Sequence, residues 1–202
     1  MKAFPPAHFY HIAEPENLPS IKRHGLLSTE RLVAREVPQG AGREAILGGH
    51  RPKAFVLPSG ITIRDQTPMP PRALAPALRD GMMPSDWYRL LNGFVFLWAN
   101  EDRVARHLHA FKGKPQVLLT LDAARLLAEL GDRVLVSPIN SGNARRKPAI
   151  RSQALFVPYR EWLRNGWTPI DSRQRPRSDL PVEIAIEGHL PLKPYLLHES
   201  LK

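Results

Sequence analysis

The chain has no cysteine among its 202 residues. That excludes disulfides, thiolate metal ligands and a cysteine nucleophile. No apolar run reaches the roughly 18 to 20 residues that a membrane-crossing helix needs. Met1 to Pro6 lack the apolar core of a secretion signal, so a cytoplasmic protein with no membrane partner is expected. No GxxxxGK[ST], GxGxxG or GxSxG motif occurs, which removes the common phosphate-binding loops and the nucleophile elbow. Glycine is scarce beside proline, 13 against 21. So many prolines exclude an all-helical protein, because each interior proline removes a hydrogen bond and clashes with the preceding turn.

Acidic residues are also outnumbered, 19 against 29, giving a net charge of +10. The excess is concentrated. Between Ser141 and Arg177 lie nine basic residues, namely Arg145, Arg146, Lys147, Arg151, Arg160, Arg164, Arg173, Arg175 and Arg177, opposed by Glu161 and Asp171 alone. Such a window attracts polyanions by Coulomb attraction and counterion release, and it also suits a solvated arginine-rich surface. Nucleic acid is the expected partner.

Hydrophobic residues make up 43% of the chain, enough for one domain over 1–202 with a real core. A strand is expected at 9–13. A short helix then begins at Asn17 as N-cap, buries Leu18 and Ile21, and stops at Gly25. Residues 34–60 read as a mobile Gly-rich loop with a short helix near 43–47. A strand at 61–64 precedes a proline turn, with short helices at 72–79 and, capped by Ser85, at 86–92. Phe94–Trp98 is a continuous apolar run, as in a central strand covered on both faces. Asn100 caps a helix with Val104, Leu108 and Phe111 inward, ended by Gly113. Strands at 116–121, 133–137, 154–157 and 181–186 follow, with a helix over 123–130 capped by Asp122 and stopped by Gly131. The class is α+β.

Three blocks could carry chemistry. The first is Phe9-Tyr10-His11-Ile12, continuing through Asn17-Leu18-Pro19-Ser20-Ile21 to His24-Gly25-Leu26-Leu27-Ser28. The second is Gly93-Phe94-Val95-Phe96-Leu97-Trp98-Ala99-Asn100. The third is the Leu180-Pro181-Val182-Glu183-Ile184-Ala185-Ile186-Glu187 strand. In this order they resemble the ADP-ribosyltransferase fold, most closely the DarT-type DNA ADP-ribosyltransferases. The opening helix and glycine also resemble RNA 2′-phosphotransferases of the same fold. The resemblance implies a mixed, split β-sheet with short flanking helices and NAD as co-substrate. The lack of cysteine and of close His/carboxylate spacing argues against a metal. The resemblance also implies that His11 contacts the NAD ribose beside Tyr10, that Phe96 or Trp98 walls the nicotinamide in place of the tyrosine common there, and that Glu183 is the catalytic carboxylate. Glu187 shares a strand face with Glu183 and competes for that role.

Arg64, before a proline turn, could bind a pyrophosphate or form a plain ion pair. Asn140 and Ser141 lie in a polar loop leading into Arg145, Arg146 and Lys147, with Arg151 beyond, a run suited to nucleic acid or to ordinary turn chemistry. His107 and His109 are two apart on a helix and face different ways, which argues against a metal pair. The readings are therefore a nucleic-acid-modifying ADP-ribosyltransferase with a toxin-like role and a possible antitoxin or inhibitor protein, a 2′-phosphotransferase or a protein- or RNA-directed relative, and a non-catalytic basic nucleic-acid-binding module.

Overall fold

A computed structural model describes residues 4–110, 113–145 and 149–202. In chain order its elements are β1 (His8–Ala13), α1 (Leu18–His24), β2 (Leu26–Leu27), α2 (Thr29–Glu36), α3 (Ala41–Gly48), β3 (Phe55–Val56), β4 (Thr62–Ile63), α4 (Pro71–Leu74) and α5 (Pro84–Asn92). Then come β5 (Phe94–Trp98), α6 (Glu101–Ala110), β6 (Val117–Asp122), α7 (Ala123–Leu130), β7 (Val134–Ser137), β8 (Val157–Pro158), α8 (Tyr159–Asn165), β9 (Glu183–Glu187), β10 (His189–Leu190) and β11 (Leu196–Leu201).

Alternation builds the sheet. In β5, Val95 and Leu97 are buried in one layer while Phe94, Phe96 and Trp98 face the other. In β6, Val117, Leu119 and Leu121 do the same. Helix α7 buries Ala123, Leu126 and Leu127, one face at helical spacing, and Asp122 caps it by accepting from Arg125 N at 2.9 Å. One core layer joins these residues to Phe9, Val134, Val136, Ile184 and Ile186 under α7 and α8. The opposite layer packs Trp87, Tyr88 and Leu91 of α5 on Phe156, Ala185 and Phe94. Trp87 stacks on Phe156 at 5.9 Å, and truncating it to Ala costs about 3–5 kcal/mol. A third cluster, Val33, Leu47, Leu57, Ile61 and Ile63, holds α2, α3 and the β3–β4 hairpin.

The large sheet runs β11-β6-β1-β5-β9-β7-β8. The expected mixed sheet is corrected: every strand pair described in it is antiparallel. The helical crossovers do join strands that point the same way, as α6 joins β5 to β6. An antiparallel strand lies between each such pair, here β1. The sheet is also divided: β1 has six register pairs with β6 but one with β5, Tyr10 opposite Trp98.

Several local expectations are corrected. Asn17 does not cap α1; its amide donates to Thr62 O and accepts from Thr62 N, both at 2.8 Å. Helix α5 starts at Pro84, so Ser85 is inside it, and Asp86 reaches back to Met83 N at 2.8 Å. Residues 153–155 form a 3₁₀ turn, not a strand, and the 72–79 helix is α4 followed by a 3₁₀ turn. The supposed loop at 34–60 holds the end of α2 and all of α3, with Leu47 buried. Phe111 lies outside the described residues. Gly25 is required where α1 turns into β2: at φ +74° a Cβ there would lie 2.5 Å from Leu190 O of β10.

Candidate functional site

Where β1 and β5 part beyond Tyr10–Trp98, a cavity of about 260 Å³ opens between them. His11, Phe94 and Phe96 form its sheet wall; Asn17, Leu26, Thr62 and Arg64 close it. His11 Nδ1 lies 2.9 Å from Phe96 O, bridging the strands where ladder bonds are missing. Burial lowers the His11 pKa to about 4, with Arg64 pushing the same way, so the ring is neutral near pH 7. A carbonyl only accepts; Nδ1 therefore carries the proton, and Nε2 is left as an acceptor.

Arg64 is held tightly at the rim. It pairs with Glu14 at 3.0 Å, donates to His107 Nε2 at 3.0 Å and bonds the Gln116 side chain. Gln116 in turn donates to Glu14 at 2.7 Å. His107, also lowered to about 4 by burial and by Arg64, packs 5.7 Å from Trp98. Behind this sits buried Arg51. It donates to Asn92 Oδ1 at 3.0 Å and to Arg64 O at 3.4 Å, while its own N–H donates to Gln66 at 3.1 Å. Burial drops its pKa to about 10. Arg64, read from the sequence as a pyrophosphate ligand or a plain ion pair, is paired with Glu14 and lines the cavity with these bonds directed into the protein.

Glu183 lies one strand beyond β5, opposite Trp98, with Ser137 of β7 on its other side. Tyr10, Trp98, Glu183 and Ser137 form one row across four strands, which puts β1 and β9 about 10 Å apart. The Glu183 carboxylate is 5% exposed and accepts from Ser141 N at 3.2 Å. Burial pushes its pKa up to about 7 against the opposing pull of Ser141, Arg151 and Arg103. Glu187, at the other end of β9, is exposed. His11 and Glu183 do not line one cavity: Arg103, near Glu183, belongs with Tyr10 to a second cavity of about 410 Å³.

The nucleic-acid candidates divide. Arg145 is exposed and Asn140 half-buried, the latter accepting from Gly142 N at 3.0 Å. Arg146 and Lys147 lie outside the described residues. Ser141 and Arg151 are interior groups, each 1% exposed. Arg151 donates to Asn143 O and Ala149 O, tying down the loop that presents Ser141 to Glu183.

Sequence reading misses Glu14, Gln116, Arg51 and Arg103. Glu14 follows β1, three residues after His11, a signal open to reading. Gln116 meets it across 102 positions, with no local trace.

An antiparallel sheet parted between β1 and β5, with His11 in the gap and the buried Glu183 two strands from β1, belongs to an α+β protein. The chain matches the family described as Family of unknown function (DUF7002) over residues 7–193, and it belongs to that family. A search of curated proteins returns no match.

Proposed function

We propose that the chain is an NAD-dependent ADP-ribosyltransferase of split-sheet, ADP-ribosyltransferase-like fold that modifies nucleic acid, DNA foremost. The observation that carries this reading is the parting of β1 from β5 at Trp98, whose other cross-strand neighbour is a buried carboxyl with a pKa of about 7. A group with a pKa near the working pH is suited to proton transfer, and its ionised form stabilises developing positive charge.

In this reading the Nε2 lone pair of His11 accepts a ribose hydroxyl in the cavity, Phe96 of the cavity wall faces the nicotinamide, and Trp98, on the same face of β5, extends the aromatic surface beyond it. The dinucleotide lies along the split and ends past Trp98, whose cross-strand neighbour is Glu183. Breaking the bond from ribose C1 to the nicotinamide nitrogen leaves the electron pair on nicotinamide and positive character on the sugar. The Glu183 carboxylate stabilises that charge, and the cationic ring lowers its pKa as it arrives. The acceptor nucleophile then bonds to C1 and loses its proton, for which Glu183 is the nearest base.

A 2′-phosphotransferase would need several arginines directed into the cleft. Arg51 and Arg151 are instead bonded to backbone carbonyls, which favours the first reading. The test is NAD turnover with single-stranded DNA present, by wild type and by Glu183→Gln. Turnover that falls at least about 100-fold in the variant with DNA affinity retained supports the proposal. Equal turnover, or none in the wild type, removes it.

A further inference from the structure

We propose that the cavity of about 410 Å³ at Arg103 is a nucleotide subsite, which takes one base and its phosphate from the acceptor strand. This rests on the transferase reading above and extends it to where the acceptor sits.

Arg103 differs from the other inward arginines. Arg51, Arg64 and Arg151 are each bonded to named partners. The Arg103 guanidinium is half-buried, faces the field of Glu183 and Arg106, and has no hydrogen bond or ion pair among the described residues; its backbone N–H alone is used, by Asn100. A partly desolvated cation without a partner is costly unless an anion arrives. The cavity walls indicate which kind. On one side Tyr10 stands edge-on to His8, ring centres 6.2 Å apart, and the Tyr10 hydroxyl also lacks a partner among the described residues. Across from them run Leu180, Pro181 and Val182, an apolar wall. An aromatic face, an apolar face and a cation between them fit a stacked base with its phosphate on Arg103.

Exposed Glu101 also lines the cavity and adds to burial in raising the Tyr10 pKa, so a bare anion is opposed at the mouth. A base carrying an exocyclic amine turns that carboxylate into an acceptor. The basic segment leads to the same place: Arg177 precedes Leu180 by three residues, about 10 Å of chain. Val182 of the apolar wall directly precedes Glu183, so a nucleotide seated here lies at the start of the strand that carries the carboxyl. The basic window would then hold flanking phosphates while this cavity takes the modified nucleotide.

The experiment is fluorescence anisotropy of an end-labelled, amine-rich (adenine and cytosine) single-stranded DNA oligonucleotide with the full chain, across a salt series. Arg103→Gln is expected to raise the Kd about tenfold and reduce the salt slope by about 0.7, and Arg103→Lys to recover much of both. Hydrogen exchange on the wild type provides a reading independent of variant folding. Oligonucleotide binding should protect 99–103 and 180–182. Protection confined to 145–177, or an unchanged Kd in Arg103→Gln, overturns the proposal. NAD hydrolysis without DNA, measured in parallel, separates the two claims: turnover with no Arg103 effect on DNA removes the subsite alone, and an Arg103 effect without turnover removes the transferase reading alone.

Discussion

Trp98 of β5 lies directly opposite Glu183 of β9, and the same Trp98 forms the one register pair of β5 with β1. The sheet is therefore stitched at the point where its carboxyl is buried, and it parts on the side where His11 reaches Phe96 O. This places one aromatic residue between the two chemical ends of the site. The arrangement makes separate demands on titration, on loop anchoring, on cavity shape and on surface charge, and each can be measured.

The stability of Glu183→Gln should separate from wild type with pH. Glu183 has a folded pKa of about 7, raised from 4.5, so the native state holds a proton the unfolded chain has lost. Its contribution is fully present below pH 4.5 and is lost as pH rises through about 7. The variant should gain on wild type across that window, by up to about 3 kcal/mol. His11 and His107, lowered to about 4, act oppositely in both proteins: their contribution is present above 6.5 and lost as pH falls through 4. Denaturant midpoints from pH 4 to 8 check this; a constant difference would show that Glu183 is not so perturbed.

Arg151→Met should destabilise by about 2–4 kcal/mol, because it removes both hydrogen bonds by which the buried guanidinium holds the carbonyls of Asn143 and Ala149. It should also raise the Glu183 pKa further by removing a nearby positive charge. Chemical denaturation and a pH–rate profile shifted to higher pH are the readouts. A change within about 0.5 kcal/mol would mean that Arg151 behaves as a surface residue.

Asn17→Ala removes both bonds to the Thr62 backbone and frees the hairpin that carries the cavity wall. The expected result is a loss of about 1–2 kcal/mol in stability and weaker NAD binding, seen as a raised KM with kcat little changed. A kcat loss at constant KM would place Asn17 in the chemistry instead.

Arg145→Glu combined with Arg146→Glu should weaken binding of single-stranded DNA of any sequence and flatten its salt dependence, by about 0.7 in slope for each phosphate no longer neutralised. Binding titrations at several salt concentrations decide this. Retained slope would show that the window is only a solvated surface.

The parts of the fold carried by local pattern are legible in the sequence. Phe94–Trp98 reads as a covered strand because five apolar residues in a row need two faces to bury them, and α7 reads as a helix because Asp122, Leu126 and Leu127 fall at cap and core spacing. The edge strand β11 is not legible, since Leu196–Leu201 is half exposed and carries no strict alternation. Expecting a mixed sheet fails because strand direction depends on which strand inserts between two others, here β1 between β5 and β6. At the site, His11 and Glu183 can be singled out by residue type and position. The burial of Arg151, the Arg64–Glu14–Gln116–His107 network and the Arg51 buttress cannot, for their partners arrive from distant loops. Asn17 shows the same limit in miniature. It stands where a helix cap should be, and its side chain is taken by a strand 45 residues away.

The most direct test is calorimetric titration of NAD into wild type and Glu183→Gln, paired with nicotinamide release from the same samples in the presence of single-stranded DNA. The account predicts binding of similar affinity in both proteins and nicotinamide release in the wild type alone. No NAD binding by the wild type, or equal release by both, would contradict it.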